Sequence, residues 1–490
     1  MQACREPLAV DRTAEISRRA FHHANFPILR QCPAALLWVV GCLSALIPIA
    51  WGGPPQVTPR DDFVDRFRKI GGYIARAPAP PVLGGTGKKF TDASLRGIEC
   101  LVEIQHVQLT DTPITDASLE RLAQLPSLRV LEIPGSSISD SGLKALVGHA
   151  SLEELDVSRT TISDAGCKLI GEFFKLRSLN VSGTRITEQG LRYMNQLSKL
   201  ENMNISNTKI SLLEKDSGLG HFNNMKTLAM NGVHVSAASC EFIGHFGKLK
   251  DLEMDGSTID DKGLALLGGL QKLEWFSLAG TKVTDLGMNT IASMKHLNTL
   301  DLSDTTIGDL GIESLKDLDL TELKLERTLI TSRSLRIISK LKNLSTLDLS
   351  RTGIGENNTI TLASLNDLKD LERLDLSYTH LTDPAIAILS LHPGLLELRL
   401  SGTRITDNGV KQLVGLTPLI SLDLSRTSVG DEGLLALRHM KNIMNLNIYK
   451  SNISRKGVEE FIRLRKLDRH PFTYIEESNT WSKSMKFSPL

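Results

Sequence analysis

The stretch Gly84-Gly85-Thr86-Gly87-Lys88-Lys89 has the glycine and lysine content of a phosphate-binding loop, in which backbone N–H groups cradle phosphates and a lysine neutralises them. It fails that chemistry twice: Val82 stands where the first glycine belongs, and Lys89 where a Ser or Thr hydroxyl would hold magnesium. The 12 histidines are scattered, with only His22 and His23 close together, and no H-E-x-x-H, G-x-S-x-G or G-x-G-x-x-G occurs. The six cysteines, Cys4, Cys32, Cys42, Cys100, Cys167 and Cys240, form no C-x-x-C pair, so neither a zinc site nor a disulfide framework is expected. Paired carboxylates abound without any spacing that would set one apart as an acid or base. The sequence therefore predicts no catalytic residue, no metal, no cofactor and no small-molecule substrate.

Charge excludes a further class. Lys and Arg number 57 against 56 Asp and Glu, a net of +1, where a nucleic-acid binder normally carries a basic excess or stripe. No nucleic-acid partner is expected.

The elements that could position any site come from a repeat. On the pattern L-x-x-L-x-[LIVM]-x-x-[TS]-x-[IVL]-x-D, copies begin at Ile104, Leu128, Leu152, Leu176, Leu200, Met225, Leu249, Leu273, Leu297, Leu320, Leu344, Leu371, Leu395, Leu419 and Ile443, after a partial copy ending in Phe90-Thr91-Asp92. We refer to these as repeats 1–15. In repeat 3, Leu155 and Val157 alternate with Glu154 and Asp156, as a strand with one buried face requires. Ile162 turns inward. Asp164 stands where a helix would begin and is expected to be its N-cap, followed by Cys167 and Ile170 at an i, i+3 apolar spacing. No single copy can bury its own apolar face, so stacked neighbours must create the core. Cys167 and Cys240 occupy a position that is elsewhere aliphatic and read as buried hydrophobes. The Thr or Ser at the ninth position, absent only at Val233, reads as a structural ladder bonding backbone at the strand exit rather than a row of nucleophiles.

With L-x-x-L-x-L at the strand and a unit such as Ile405-Thr406-Asp407-Asn408-Gly409-Val410 after it, the chain resembles the leucine-rich-repeat family, in the 24-residue subtype found in F-box substrate receptors and bacterial repeat proteins. The resemblance covers roughly residues 86–465. It implies an α/β fold: a right-handed solenoid with a parallel concave β-sheet and short convex helices. It also implies a protein or peptide as partner, whereas no F-box-like helical domain precedes the array. An intracellular substrate-recognition subunit of the ubiquitin-ligase type and an envelope scaffold without a discrete ligand are the alternatives.

On such a sheet the outward strand residues form ladders about 4.8 Å apart. The ladder between the two central apolar positions is acidic-leaning but interrupted: Lys324 sits between Asp301 and Asp348, and Arg399 between Asp375 and Asp423. Much of the C-terminal half is expected to neutralise itself. Trp275 departs from the pattern, at an outward position whose counterparts are Asp251 and Thr299. Ringed by Asp251, Glu253 and Asp301, it is either an anchor for a basic or polar peptide or a ring lying flat over its neighbours' stems. Tyr378 and Tyr449 are weaker versions of the same feature. The expected partner-binding residues are Asp251, Glu253, Trp275, Asp301 and Tyr378.

Ahead of the repeats, residues 1–32 form a leader with five arginines, and residues 33–51, PAALLWVVGCLSALIPIAW, carry no charge over a length about that of a bilayer core. They read as a transmembrane or signal segment, with a cut after Gly52 conceivable and a lipoprotein-like Val39-Val40-Gly41-Cys42 or a buried helix as further readings. A single-pass membrane protein with an exported repeat body, or a secreted one, is expected. Residues 61–85 read as a capping helix and linker, with Phe63, Phe67, Ile70 and Ile74 on one helical face, and 466–490 as a tail.

Overall fold

Repeats 2–15 each contribute a three-residue strand whose middle residue is buried and whose flanks face outward, and repeat 1 a five-residue one, His106–Thr110. Glu154–Asp156 is representative. It pairs in parallel with the next copy at the same repeat position, Glu154 opposite Ser178, Leu155 opposite Leu179 and Asp156 opposite Asn180. In this computed structural model, which describes residues 58–75, 81–213, 218–355, 360–467 and 474–476, that register runs unbroken from Val82–Thr86 to Asn445–Asn447. Tyr73–Ala75 adds an antiparallel strand at one end and Tyr474–Glu476 a parallel one at the other, for a sheet of 18 strands. Short helices, such as Asp164–Ile170 and Asp407–Leu413, return the chain on the far side of a continuous aliphatic core. This is an α/β solenoid.

Two hydrogen-bonded ladders fix the return. At the strand exit the backbone enters the left-handed region at the residue before the ninth position in every copy. Six copies place glycine there, and nine place Asp111, Arg159, Asn207, Asp304, Arg327, Arg351, Tyr378, Arg426 and Lys450, with φ between 52° and 57°. For a non-glycine residue this costs about 1–2 kcal/mol. The following Thr or Ser donates its hydroxyl to the carbonyl three residues back, as Thr160 does to Val157 at 2.6 Å and Thr403 to Leu400 at 2.6 Å. The ladder read as structural in the sequence is so in thirteen of the fourteen copies that carry a hydroxyl there. Ser257 differs, its buried hydroxyl having no hydrogen-bond partner.

The second ladder corrects the expectation for Asp164. The N-cap is Ser163, in extended conformation, and Asp164 is the first helical residue. Its carboxylate reaches sideways into the next repeat and accepts both the backbone N–H and the hydroxyl of Thr187, the cap of the following helix. The same clamp joins Asp92 to Thr115, Asp116 to Ser139, Asp140 to Ser163, Asp261 to Thr284, Asp309 to Thr331, Asp383 to Thr406 and Asp431 to Ser454. Burial alone would raise the Asp309 carboxyl, but hydrogen bonds from Ser334 and Thr331 outweigh it and hold the group below its ordinary range.

At the N-terminal end, Pro59–Lys69 is helical with Thr58 as its cap and buries Phe63 and Phe67 against Phe90. The helix stops short of the expected face: Gly71 is left-handed at φ 97°, and Ile74 lies in the first strand. At the other end the helix Arg455–Leu467 buries Phe461 and Arg465, whose guanidinium donates to the carbonyls of Met440 at 2.6 Å and Ile443 at 2.9 Å.

The expected single-pass membrane placement is corrected by these elements. Among the described residues no helix is long and apolar enough to cross a membrane. The longest of them, Arg455–Leu467, has 13 residues and carries five Arg or Lys, about 20 Å of helix against a hydrocarbon core of about 30 Å. Residues 33–51, on which the expectation rested, lie outside the described residues, as do the leader 1–32, the connector residues 76–80, the irregular residues 214–217 and 356–359, and the rest of the tail.

Candidate interaction face

The outward face of the sheet follows the repeat residue by residue, and its acidic ladder is mostly a folding device. In eight copies the Asp or Asn that ends the strand accepts the backbone N–H two residues on: Asp156 from Ser158, Asn180 from Ser182, Asn204 from Ser206, Asp301 from Ser303, Asp348 from Ser350, Asp375 from Ser377, Asp423 from Ser425 and Asn447 from Tyr449. These are Asx turns that steer the chain into the left-handed residue that follows. The L-D-L-S spelling of the repeats carries that signal.

Over repeats 6–8 this ladder is interrupted. Ala229, Glu253 and Ser277 occupy the position, and the left-handed residue in all three copies is glycine, at 232, 256 and 280. Trp275 lies here, between Asp251 on one side and Thr299 on the other. Its ring is half-buried. The next column of the same strands sets Glu253, Ser277 and Asp301 side by side. Four of the five residues singled out by sequence therefore occupy three adjacent strands.

The carboxylates around Trp275 are held in place. Glu253 is buried and accepts from the Asn231 amide at 2.9 Å. Its pKa is raised, first by burial and then by the charges of Asp255 and Asp251. Asp255 accepts from the Ser277 hydroxyl and, at 3.0 Å, from the backbone N–H of Ala279. Its pKa too is raised, by burial and by Asp301. Sequence reasoning passed over Asp255 because it lies beyond the strand; the alternation Asp251, Glu253, Asp255 was the available signal. Lys324 closes this patch, 3.7 Å from Asp301 and 3.1 Å from Glu322. Burial would lower its pKa, but Glu322 and Asp301 outweigh it.

Beyond Lys324 the face carries both signs. Arg399 lies 3.6 Å from Asp375 and 2.6 Å from Glu397. Asp348 sits directly beside Asp375 in the register, and burial followed by that neighbour pushes its carboxyl up to about 6. Tyr378 is not part of the Trp275 cluster. It lies four repeats further on, at the left-handed residue after its strand, with the Arg351 guanidinium 4.2 Å from its ring centroid.

The cysteines behave as packing groups. Cys167 and Cys240 are buried, and burial raises both thiols, Cys240 to about 12. Among the described residues no group of three or more His, Cys, Asp or Glu is arranged to hold a metal ion.

Comparison with known proteins agrees with this architecture. The leucine-rich-repeat family matches residues 148–171, 293–316, 394–414 and 415–437. No curated protein matches. Among solved structures, the mouse RP105/MD-1 complex aligns with a TM-score of 0.52 at 16% identity, covering 78% of this chain and 76% of that one. The complex of TLR13 with ssRNA13 aligns with a TM-score of 0.50 at 20% identity, covering 72% and 54%. A leucine-rich-repeat protein of Leptospira interrogans aligns with a TM-score of 0.48 at 18% identity, covering 78% and 87%. At these identities the likeness is one of fold.

Proposed function

The chain is a leucine-rich-repeat protein, and we propose that it works as a non-enzymatic interaction module, holding a basic peptide segment of a protein partner on the concave face of repeats 7–9. The observation that carries this reading is the interruption at Trp275. Where most other repeats spend the outward strand end on an Asx turn, repeats 6–8 leave that position to Ala229, Glu253 and Ser277 and place a large aromatic ring in the adjacent column. Tryptophan contributes more to interfaces than most residue types, about 2 kcal/mol or more at a hot spot.

Charge sets the chemistry of the occupant. Glu253 and Asp255 are raised by burial and by their acidic neighbours, so a Lys or Arg docking beside them relieves repulsion that hydrogen bonds from Asn231 and Ser277 and the charge of Lys324 offset in part. The Trp275 ring adds a face for the same cation.

Selection of a random peptide display library on the purified full-length chain tests the reading. Enriched peptides are expected to carry Lys or Arg near an apolar residue. Trp275→Ala and Asp301→Ala should each weaken them about tenfold or more, as a lost contact of roughly 1.4 kcal/mol predicts. Equal binding by both variants sinks the assignment of this face.

A further inference from the structure

At the strand exits of repeats 11–15 the chain reads Ser350-Arg351-Thr352-Gly353, Ser377-Tyr378-Thr379-His380, Ser401-Gly402-Thr403-Arg404, Ser425-Arg426-Thr427-Ser428 and Tyr449-Lys450-Ser451-Asn452. These five turns stack along one edge of the sheet and contain four Lys or Arg, one His and no carboxylate. Arg404, Arg426 and Lys450 are exposed and make no ion pair among the described residues, whereas along the opposite edge Arg129, Arg177, Lys226 and Lys250 are each paired with a glutamate at 2.6–2.7 Å. The nearby carboxylates are already engaged: Asp383 and Asp431 clamp the next repeat, Asp407 accepts the N–H of Gly430, and Asp423 closes its own Asx turn.

A second, independent observation concerns the backbone. Arg351, Tyr378, Arg426 and Lys450 all sit at φ 55–57°, where repeats 2, 4, 6, 7, 8 and 13 use glycine. Glycine meets that conformation without strain, so the fold has no need of long side chains there. Asp111, Arg159, Asn207, Asp304 and Arg327 hold the same conformation elsewhere in the array, so what distinguishes this edge is the uncompensated positive charge of the side chains placed there.

We propose that this edge is a second docking surface, distinct from the Trp275 face, and that its occupant is an acidic peptide segment of a partner protein. The aromatic rings argue against the other polyanion, single-stranded nucleic acid, which binds by stacking bases on open ring faces. Tyr378 is already engaged: the Arg351 guanidinium stacks 4.2 Å from its ring centroid, and the ring packs so closely on Gly402 that a Cβ there would stand 2.6 Å from a ring carbon. Tyr449 is covered by Arg426 at 5.6 Å and Lys450 at 5.2 Å. Arg351 is itself paired with Glu326 at 3.3 Å, so it is Arg426 and Lys450, braced by the Tyr449 ring, together with Arg404, whose charges are left for a partner's carboxylates. The same edge turns apolar one step upstream, where Leu286, Leu310 and Leu329 are 81%, 73% and 65% exposed. A leucine follows the helix-starting Asp only in repeats 8 and 9, so the segment that fits carries apolar residues at one end of its acidic run.

The test uses the full chain and a fluorescein-labelled peptide with two leucines followed by eight glutamates, read by anisotropy against unlabelled oligo-dT and a neutral peptide of equal length. Binding is expected to weaken with added salt. Arg426→Gly and Lys450→Gly should each lower affinity about fivefold or more while leaving the melting temperature unchanged or raised, because glycine relieves the left-handed strain. Arg404→Gln, at an unstrained position, should lower affinity without changing stability, and Leu310→Ser should do so in a salt-independent way. Tighter binding of oligo-dT than of the peptide, unchanged peptide affinity in these variants, or losses that track a falling melting temperature would each overturn the proposal.

Discussion

The carboxylate of Asp164 accepts the backbone N–H of Thr187 at 2.8 Å and the hydroxyl of the same residue at 2.7 Å, so that the first residue of one helix holds the cap of the next. Repeated along the array, this pairing turns a motif that looks local into a fastening between repeats. It has no counterpart within a single copy.

Removing the clamp should loosen the stack at that point. Asp164→Ala leaves the Thr187 N–H and hydroxyl without their acceptor in a half-buried site, a loss of about 1–3 kcal/mol. Urea unfolding should show the loss, and hydrogen exchange should place it at Thr187 and its neighbours rather than spread over the array. Uniform acceleration of exchange along the chain, or no change in the urea midpoint, would contradict the clamp.

The same contact explains the glycine of the T-D-x-G pattern. A Cβ added at Gly190 would lie 2.7 Å from Asp164 Oδ1, and corresponding collisions with the preceding repeat's Asp occur at Gly287 and Gly433. Where serine replaces that glycine, at Ser118 and Ser334, its hydroxyl donates to the same carboxylate at 2.5 Å. Gly190→Ala should therefore destabilise by about 1–3 kcal/mol, and Gly190→Ser, though larger, by less. If serine proves as costly as alanine, the hydroxyl has no role in accommodating the carboxylate.

Asp348 gives the sheet a pH dependence. Its folded-state pKa of about 6 exceeds the ordinary carboxylate value, which is about 3.9, so the folded chain binds this proton more tightly than the unfolded one. The stability it contributes is fully present below about pH 4 and lost as pH rises through about 6. Asp348→Asn keeps an oxygen to accept from Ser350 and removes the charge facing Asp375. It should stabilise the chain by about 1–2 kcal/mol at pH 7.5 and have little effect at pH 4. Unfolding midpoints at the two pH values decide this, and an equal shift at both would exclude the charge as the cause.

The sequence by itself determined the repeat, its strand and its buried positions, because each depends on apolar spacing that a single copy displays: Leu155 and Val157 mark the inward positions that neighbouring copies then bury. It also showed the hydroxyl ladder, since Thr160 bonds a carbonyl only three residues away. Trp275 and its acidic surround were legible for a related reason. In a parallel in-register sheet, equal repeat positions must lie side by side, so Asp251 and Thr299 could be placed beside it by counting.

What only the tertiary structure decided are the relationships that cross from one repeat to the next with an offset and the course of the backbone at each strand exit. The helix-starting Asp looked like a cap for its own helix because capping is local, yet its partner stands 23 residues on. The aspartates of the outward ladder looked like a surface charge pattern, whereas their carboxylates close Asx turns, a role that depends on the backbone path after the strand. Tyr378 looked like a companion of Trp275, but it occupies the left-handed position after its strand, at φ 55°, which carries it to the edge and under Arg351. Spacing along the chain specifies which residues share a position in the repeat; the left-handed turn that follows each strand decides where their side chains meet.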